Sequence, residues 1–493
     1  MNCSETGPGP PPELARHHDA RAESAEPHHN YDRFMTSDDQ VLNQSPPLED
    51  YNLYTTDPIL DAAIDAEGGA GSRPELVEYG ARAGAAETFE WGFLANRNEP
   101  VLRTHDRYGN RLDHVDFHPA WHSLMDMAVT NGLHSLPWED QDREDGQVAR
   151  AGLLYMSSQV EAGHFCPVSM TTSVVPALRI EGSVASEWVP RVLSRSYDPT
   201  FQPAGAKAGA LMGMGMTEKQ GGSDVRANRT TARPRDGSGP GSSYRVDGHK
   251  WFTSAPMCDA FLVLAQAPGG LSCLLMPRWR PDGSINGIRI QRLKDKLGNR
   301  ANASSEVEFI DAHAVLIGEE GRGVPTIIEM VNGTRLDCVI GSAAQMRQAV
   351  AQAAWHVAHR RAFGSKLIDK PLMQNVIADL EIEVEVATLM MARLAGSFDR
   401  APHDGDEANF RRVALPLAKF WVTKQATGVV REAMECLGGN AYVEESILPR
   451  LFRESPLNAI WEGSGNVIAL DFLRASQRVR AGLDSFIAEL EIA

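Results

Sequence analysis

The chain is poor in three features that point to particular classes of protein: paired cysteines, long apolar runs and excess positive charge. Its six cysteines, spread over 493 residues, form no Cys-x-x-Cys pair, which argues against a disulfide framework and favours isolated thiols in a reducing compartment. No run of 18 apolar residues is present, so the sequence predicts no membrane-spanning helix. The net charge of −17 disfavours DNA, RNA and anionic membranes as default partners.

The first 40 residues also lack what a folded or exported segment needs. They contain few large apolar residues and many Pro, His, Glu and Asp side chains, so they cannot bury enough surface to offset the entropy of ordering. The apolar core of a secretory signal is missing, and acidic residues dilute the arginines that a mitochondrial leader requires. We therefore expect residues 1–40 to be disordered and the protein to be cytoplasmic.

The rest of the sequence divides into three regions by its apolar periodicity. Helical spacing prevails first, as in WHSLMDMAVTNGLH, and a β texture follows, with YRVDGHKWF interpreted as two short strands around a DG turn. Long amphipathic stretches then return. The sequence predicts an α+β fold with an N-terminal α-helical domain over residues 41–212, a middle β domain over 213–325 and a C-terminal α-helical bundle over 326–493.

The glycine-rich segment GMGMTEKQGGSD superficially resembles a dinucleotide-binding fingerprint. That fingerprint requires a preceding strand and a third glycine where this sequence has glutamate, so we reject a Rossmann site. Gly221 and Gly222 instead allow backbone N–H groups to approach a ligand closely, while Thr217 and Ser223 offer hydroxyls, which together suit an anion. A solvent-exposed loop with turn glycines is the alternative.

Two further segments have side chains that suit a flat, phosphorylated ligand. In HKWFTSAP, Trp251 and Phe252 can pack an aromatic plane against a ring while Thr253 hydrogen-bonds its edge, although plain core packing is the alternative. In HRRAFG, Arg360 or Arg361 could pair with a pyrophosphate, because guanidinium matches phosphate geometry. Either cation could instead lie against the C-terminal dipole of a helix.

The segment AIWEGSGN places Glu462 beside an indole and a Gly-Ser-Gly turn. A carboxylate in an apolar pocket has a raised pKa, because desolvation penalises its charged form, and this suits proton transfer near neutral pH. A solvated surface glutamate is the alternative. His164 and Cys166 lie close in sequence, but two soft ligands do not make a zinc site, so we expect no metal.

Taken together and in this order, these segments resemble the acyl-CoA dehydrogenase family. The segments GMGMTEKQGGSDV, LKDKLGNRANASSEVEF and SPLNAIWEGSGN are very similar to the AidB branch of that family, and the resemblance runs from about residue 41 to about residue 475. The family motifs are found here at Thr217–Asp224, Lys250–Thr253, Arg360–Gly364, Leu437–Gly439 and Glu462–Ser464.

The resemblance implies FAD-dependent α,β-dehydrogenation of an acyl-CoA thioester. In that reaction Glu462 would take the α-proton, the flavin would take the β-hydride, and the backbone N–H of the base would help to polarise the thioester carbonyl. The resemblance also implies a homotetramer, whereas neither the acyl chain nor the electron acceptor follows from the sequence.

Relatives in the AidB branch suggest a different role. They are linked to the alkylation-stress response, so a flavoprotein of DNA-associated protection or detoxification is the alternative function. The sequence lacks most of the C-terminal region with which DNA binding is associated in that branch, so DNA is possible but disfavoured. A non-enzymatic scaffold that keeps FAD for stability is a third alternative.

The resemblance also assigns roles to individual residues. Glu462 would be the base, and Arg335 would lie near the substrate. Some relatives place the base at the position of Thr334, which cannot act as a carboxylate. Trp251 would flank the flavin ring, and Thr253 would hydrogen-bond near its N5. The implied FAD contacts are Met214, Thr217, Gly221, Gly222, Ser223, Trp251, Phe252, Thr253, Arg360 (toward a neighbouring subunit's FAD), Gly438, Gly439, Ser464 and Asn466.

Overall fold

Helices come first and last along the chain, and strands lie between them, in a computed structural model that describes residues 42–140 and 142–492. The order confirms the predicted α+β fold. From Ser45 onward the described residues form one compact unit. The predicted disorder of residues 1–40 lies outside the described residues.

The N-terminal region packs around one almost completely buried helix, α6, of which only Gln147 is not buried. The helix is buried on all faces, and its one buried cation, Arg150, forms a bidentate pair with Asp337 at 2.7 Å. A two-stranded hairpin, β1 (Val101–His105) and β2 (Arg111–Asp116), also belongs to this region. The helices are α1 (Pro58–Ala66), α2 (Arg73–Ala83), α3 (Ala86–Arg97), α4 (Pro119–Thr130), α5 (Leu136–Glu139), α6 (Gly146–Val160), α7 (Phe165–Ser173), α8 (Val175–Leu178) and α9 (Gly182–Val192).

The middle region is a seven-stranded sheet that closes on itself. Hydrogen bonds run from β6 through β4, β5, β9 and β7 and back to β6, while β3 and β8 pair on the outside of this ring with β6 and β9. Its core is a buried cluster of side chains from these strands and from α7 to α9. The strands are β3 (Met212–Gly215), β4 (Thr231–Pro234), β5 (Ser243–Ser254), β6 (Ala260–Ala267), β7 (Gly270–Pro277), β8 (Ile288–Leu293) and β9 (Ser304–Ile317).

The predicted DG turn within YRVDGHKWF is wrong, because β5 runs through this segment without a break. Gly248 forms part of a bulge in the pairing of β5 with β9 and has a φ of 152°. A Cβ at this position would lie 2.5 Å from the Thr230 hydroxyl, so the glycine permits a close approach of two strands rather than a reversal. The predicted hairpin around Pro268 and Gly269 is correct and joins β6 to β7.

Three long helices, α10, α11 and α12, form the C-terminal bundle. The predicted domain boundary at residue 325 lies inside α10, which begins at Gly323. Among the described residues, no helix is both long and apolar enough to cross a membrane. The elements of this region are α10 (Gly323–His359), β10 (Arg361–Ala362), β11 (Ser365–Lys366), α11 (Pro371–Arg400), α12 (Gly405–Leu437), α13 (Leu448–Glu454), α14 (Gly465–Arg478) and α15 (Arg480–Ile492).

Candidate active site

A cavity of about 570 Å³ lies where α10, the β domain and the segment before α14 meet. The wall contributed by α10 extends from Val324 to Gln345. The predicted site residues on its lining are Met214, Thr217, Gly222, Ser223, Phe252, Arg335, Glu462 and Ser464. The fold therefore brings together residues from three separate motifs of the sequence.

Glu462 lies on the cavity wall in an unusual backbone conformation. Its φ of 56° is in the left-handed region, which a residue other than glycine rarely adopts and which is found at functional sites. Its Oε2 accepts a hydrogen bond of 2.8 Å from the Thr334 hydroxyl. Burial raises the pKa of Glu462, whereas the Thr334 hydrogen bond and the charges of Arg335 and Lys419 oppose that rise. The half-buried side chain opens onto the cavity while protein atoms surround it.

Two cationic side chains hold the backbone around Glu462. Lys419, on α12, donates from Nζ to the carbonyl oxygens of Trp461 at 2.9 Å and Gly463 at 2.5 Å. Arg335, on α10, donates from Nε to the carbonyl oxygen of Glu462 at 3.1 Å. Three consecutive carbonyls therefore accept hydrogen bonds from charged donors.

Arg335 has a second partner, Asp471 on α14, whose Oδ2 lies 3.0 Å from Arg335 Nη1. Asp471 also accepts from Arg412 at 2.7 Å. Arg335 is only 7% exposed, so much of its guanidinium is committed to protein partners. Its predicted contact with the substrate stays a prediction.

The glycine-rich loop is anchored from below by a buried ion pair. Glu218 accepts from the N–H of Arg229 at 2.7 Å and from Lys250 Nζ at 2.9 Å. Although burial opposes it, these hydrogen bonds lower the pKa of Glu218 to about 2. Above this anchor, a Cβ at Gly222 would lie 2.4 Å from the Thr217 hydroxyl, so only glycine fits there.

The aromatic strand presents to the cavity one of its three predicted FAD contacts, Phe252, together with a residue that was not predicted. Phe252 and Ser254 line the cavity, whereas Trp251 and Thr253 do not. The register of β5 against β9 shifts between Lys250 and Thr253, which interrupts the regular alternation of side chains, and the Lys294 ammonium lies near the rings of both Trp251 and Phe252. Trp251 instead lies under the Lys294 ammonium, which is 3.4 Å from its ring centroid, and Thr253 is buried. The predicted roles of Trp251 and Thr253 toward FAD stay predictions, and the Thr253 hydroxyl is buried without a hydrogen-bond partner among the described residues.

Five other predicted FAD contacts lie off this cavity's lining: Gly221, Arg360, Gly438, Gly439 and Asn466. Gly221 is in a turn beside it, with a φ of 138°. Arg360 follows the last residue of α10, about 38 Å along the helix axis from Arg335 at 1.5 Å per residue. One chain therefore does not bring it to Glu462, and its role toward a second subunit stays a prediction. Gly438 and Gly439 end α12, and Asn466 is exposed in the first turn of α14.

Comparison with known proteins gives three family matches that follow one another along the chain. Residues 43–199 match the N-terminal domain of the adaptive response protein AidB. Residues 213–312 match the middle domain of acyl-CoA dehydrogenases, and residues 321–476 match their C-terminal domain. The putative acyl-CoA dehydrogenase AidB of Escherichia coli is 48% identical over 91% of this chain and 82% of its own length. The chain belongs to the acyl-CoA dehydrogenase family.

Solved structures of the acyl-CoA dehydrogenase family share the fold. The crystal structure of Caenorhabditis elegans ACDH-11, in complex with C11-CoA, matches with a TM-score of 0.83 and 30% identity over 91% of this chain and 77% of that one. Butyryl-CoA dehydrogenase from Megasphaera elsdenii, at 18% identity and a TM-score of 0.64, is alike in fold over 86% of this chain and 99% of its own. The predicted family and fold are confirmed.

Acyl-CoA dehydrogenases are FAD-dependent flavoproteins, which confirms FAD as the cofactor. The cavity residues suit that group. Phe252 presents an aromatic side chain, 50% exposed, that a flat ring could cover, and hydroxyls stand near it on Thr217, Ser223 and Ser254. Within the described part of the chain, no cluster of His, Cys, Asp and Glu could hold a metal ion.

Sequence reasoning missed three residues that lie on the cavity wall or hold it in place. Ser254 could have been found from strand alternation. Lys419 is 1% exposed, and its only sequence signal is a lysine on an otherwise apolar stretch, LPLAKFWV. Glu454 lines the cavity and is 2% exposed, with Oε1 lacking a hydrogen-bond partner. Burial, together with the nearby Glu161 carboxylate, raises the pKa of Glu454.

Proposed function

We propose that Glu462 removes the α-proton of an acyl-CoA thioester bound in this cavity, in a FAD-dependent α,β-dehydrogenation. One observation carries the proposal: a carboxyl group with a raised pKa stands on a strained turn and opens onto the cavity. A general base works best when its pKa lies near the working pH, and burial moves Glu462 in that direction. The raised pKa makes the ionised carboxylate a stronger base than an exposed glutamate.

FAD, when bound, supplies the acceptor for the β-hydride. We propose that Phe252 packs against the flavin ring and that Thr217, Ser223 and Ser254 hydrogen-bond to FAD. Gly222 supports this assignment, because it lies on the cavity lining and its missing Cβ lets the Thr217 hydroxyl come close to the loop backbone there. The apolar part of the wall excludes water from the reacting atoms and so strengthens each charged interaction there.

The neighbours of Glu462 adjust its proton affinity. The Thr334 hydrogen bond stabilises the ionised carboxylate and so keeps it ready to accept a proton. The charges of Arg335 and Lys419 act in the same direction. With these neighbours, Glu462 would remain ionised over more of the physiological pH range than burial alone allows.

The test is flavin reduction without turnover. Holoenzyme is mixed anaerobically with a panel of acyl-CoA thioesters of different chain length and branching, and the loss of flavin absorbance is followed. We expect bleaching by at least one thioester in the wild type and a loss of about 10³-fold or more in its rate in Glu462→Gln. Glu445→Gln, an exposed carboxyl between α12 and α13, is the matched control and should bleach like the wild type. No bleaching by any thioester, or normal bleaching in Glu462→Gln, would contradict the proposal.

An adaptive-response role is the second candidate, and the match of residues 43–199 to the AidB N-terminal domain favours it. The net charge of −17 argues against a large contribution from phosphate contacts. Electrophoretic titration of duplex DNA at increasing salt distinguishes the two. A salt-dependent shift at physiological ionic strength would support DNA-associated protection, whereas no shift would leave thioester oxidation alone.

We also propose a cytoplasmic homotetramer. The hairpin β10–β11 and helix α11 expose an apolar strip, defined here as Phe363, Leu372, Ile382, Val386 and Leu389, whose side chains are 40% to 94% exposed. Exposed apolar patches of this kind mark interaction surfaces. Cysteines 166, 258, 273, 338 and 436 are free thiols, which suits a reducing compartment.

A further inference from the structure

We infer that Lys419 is a positioning residue of the dehydrogenation: it fixes the backbone on both sides of Glu462 and strengthens the Glu462 N–H as a donor to the thioester carbonyl. The inference rests on the proposed function of Glu462 and extends it to a residue that lies off the cavity lining. It is carried by the contacts of one buried ammonium group.

The Lys419 ammonium is buried and has backbone partners in place of an ion pair. The residue is 1% exposed, and its hydrogen-bond partners within the described chain are backbone carbonyls. A buried ammonium is costly unless it is hydrogen-bonded. Two of its three N–H donors go to the carbonyls of Trp461 at 2.9 Å and Gly463 at 2.5 Å, the residues on either side of Glu462. The ammonium is therefore directed at the turn that presents the base.

The turn needs such a partner, because the φ of 56° at Glu462 is unfavourable for a residue with a Cβ. Strained backbone persists only where its surroundings over-determine it. Lys419 holds the carbonyl before and the carbonyl after this residue, while Arg335 holds the Glu462 carbonyl itself at 3.1 Å. The two cations fix the direction in which the Glu462 side chain leaves the turn.

The contact with Trp461 has a second effect, because that carbonyl and the N–H of Glu462 belong to the same peptide group. The Glu462 N–H makes no hydrogen bond to any other described residue. A charged donor on one end of a peptide polarises it and makes the N–H at its other end a stronger donor. This unpaired N–H and the base belong to the same residue. The N–H is therefore placed to donate to the thioester carbonyl oxygen, which is next to the carbon that loses its proton.

Lys419 also acts on Glu462 through space. Its charge lowers the pKa of Glu462 against the effect of burial. Removing the charge would raise that pKa, so less of the base would be ionised at acid pH. Loss of Lys419 should therefore have two signatures that a purely structural defect lacks: a shifted pH profile and a weaker polarisation of the thioester.

The experiment uses holoenzyme and a thioester probe with sulfur in place of the β-carbon. Such a probe can lose its α-proton but cannot give up a β-hydride, and the resulting anion against the flavin is read as a long-wavelength absorbance band. In Lys419→Met we expect the midpoint of this band to move up by about one pH unit and kcat with a true substrate to fall by about 10²-fold. The KM and the FAD content should change far less.

Two further variants keep the test decisive. Lys207→Met removes another buried lysine, paired with Asp259 at 2.8 Å in the β region, and should lower thermal stability without moving the band midpoint. Lys419→Gln keeps an N–H donor without the charge and serves if Lys419→Met does not fold. Lys419→Gln should shift the midpoint of the absorbance band while losing less activity than Lys419→Met.

The outcomes separate this inference from the proposed function. If Lys419→Met or Lys419→Gln loses stability as Lys207→Met does, yet keeps the wild-type band midpoint and kcat, Lys419 is only structural and the inference is overturned. If Glu462→Gln still forms the band and turns over, the proposed function itself fails. A lost band in Glu462→Gln together with a shifted band in the Lys419 variants supports both.

Discussion

At the scale of single residues, the hydroxyl of Thr334 helps to set the pH range over which the Glu462 carboxyl is ionised. Its 2.8 Å hydrogen bond lowers the pKa of Glu462, so Thr334→Val should raise that pKa. Since only the ionised base accepts a proton, the rising limb of kcat/KM against pH should move to higher pH. A bond of about 1–1.5 kcal/mol predicts a loss of about five- to tenfold on the acid side and little change above the midpoint. Flavin reduction from pH 5 to 9 measures this.

The control for Thr334→Val is Thr130→Val, an exposed threonine at the end of α4. It should leave the profile unchanged. An identical profile in Thr334→Val and the wild type would mean that this hydroxyl does not set the proton affinity of the base.

The neighbours Trp251 and Phe252 form a second residue-scale test, because Phe252 lies on the cavity lining and Trp251 does not. Phe252→Ala removes an aromatic surface from the cavity and should weaken FAD binding by about two- to tenfold, since ring packing contributes about 0.5–1.5 kcal/mol. Trp251→Ala removes a ring that packs under Lys294 and should weaken it less. Fluorescence titration of apoprotein with FAD gives both constants. The reverse order would assign the flavin face to Trp251.

These two residues also show what sequence could and could not predict about the site. The motif located the strand, but the face of each side chain depends on the register between β5 and β9, which shifts between Lys250 and Thr253. Register is a long-range property that no local pattern contains. Glu462 could be found because its motif is contiguous in the sequence. Lys419 lies 43 positions before it, on α12, and the pattern of apolar residues around it does not mark it out.

At the scale of elements, the ion pair between Glu218 and Lys250 holds the glycine-rich loop on the β domain. Lys250→Met would leave the Glu218 carboxylate buried without its cation, which typically costs about 3–5 kcal/mol. We expect a matching fall in the free energy of unfolding, measured in urea, and faster loss of FAD on gel filtration. Arg245→Met, which removes an exposed pair on the same strand, should cost less than about 1 kcal/mol.

The same pair gives a pH signature. The pKa of Glu218 is depressed to about 2, so its stabilisation is present above its unfolded value of 4.5 and is lost as pH falls toward 2. Lys250→Met should therefore flatten the acid limb of stability between these values. An unchanged acid limb would mean that the backbone N–H donors alone hold the carboxylate.

Long helices were predicted best, and of the two predicted reversals one was wrong. Helices α10 to α12 each continue for at least 30 residues, and a stretch of that length is too long for a strand. The DG of β5 carries the local signature of a turn, and only the packing of Gly248 on Thr230 makes it a bulge. Turn chemistry and bulge chemistry both select glycine, so sequence alone could not separate them.

At the scale of the whole molecule, the apolar strip on β10–β11 and α11 predicts assembly. Ile382→Glu with Val386→Glu places two charges one helical turn apart in the strip and should lower the mass measured by light scattering. Glu385→Gln, an exposed neighbour on α11, should not change it. A wild-type mass of one chain would contradict the homotetramer, and an unchanged mass in the double variant would show that this strip is not the interface.

The order of the three regions could be predicted for the whole chain, but the cavity between them could not. Its walls come from segments that lie up to about 310 positions apart, from Leu154 to Val467. Closure of the β region depends on pairings such as β6 with β4 and β7 with β9, which no window of sequence contains. The family resemblance bridged that gap by implying a shared architecture.

The contact between Thr334 and Glu462 means that a catalytic base could reach the same cavity from either of two positions, one on α10 and one before α14. A carboxyl grafted at 334 would approach the spot that Glu462 Oε2 now occupies, and glycine at 462 would accept the left-handed turn readily. An exchange of the base between the two positions could pass through a chain with carboxyls at both 334 and 462, where two like charges side by side would raise the pKa of one group. The reaction would then be kept while the sequence position of its base changes from 462 to 334.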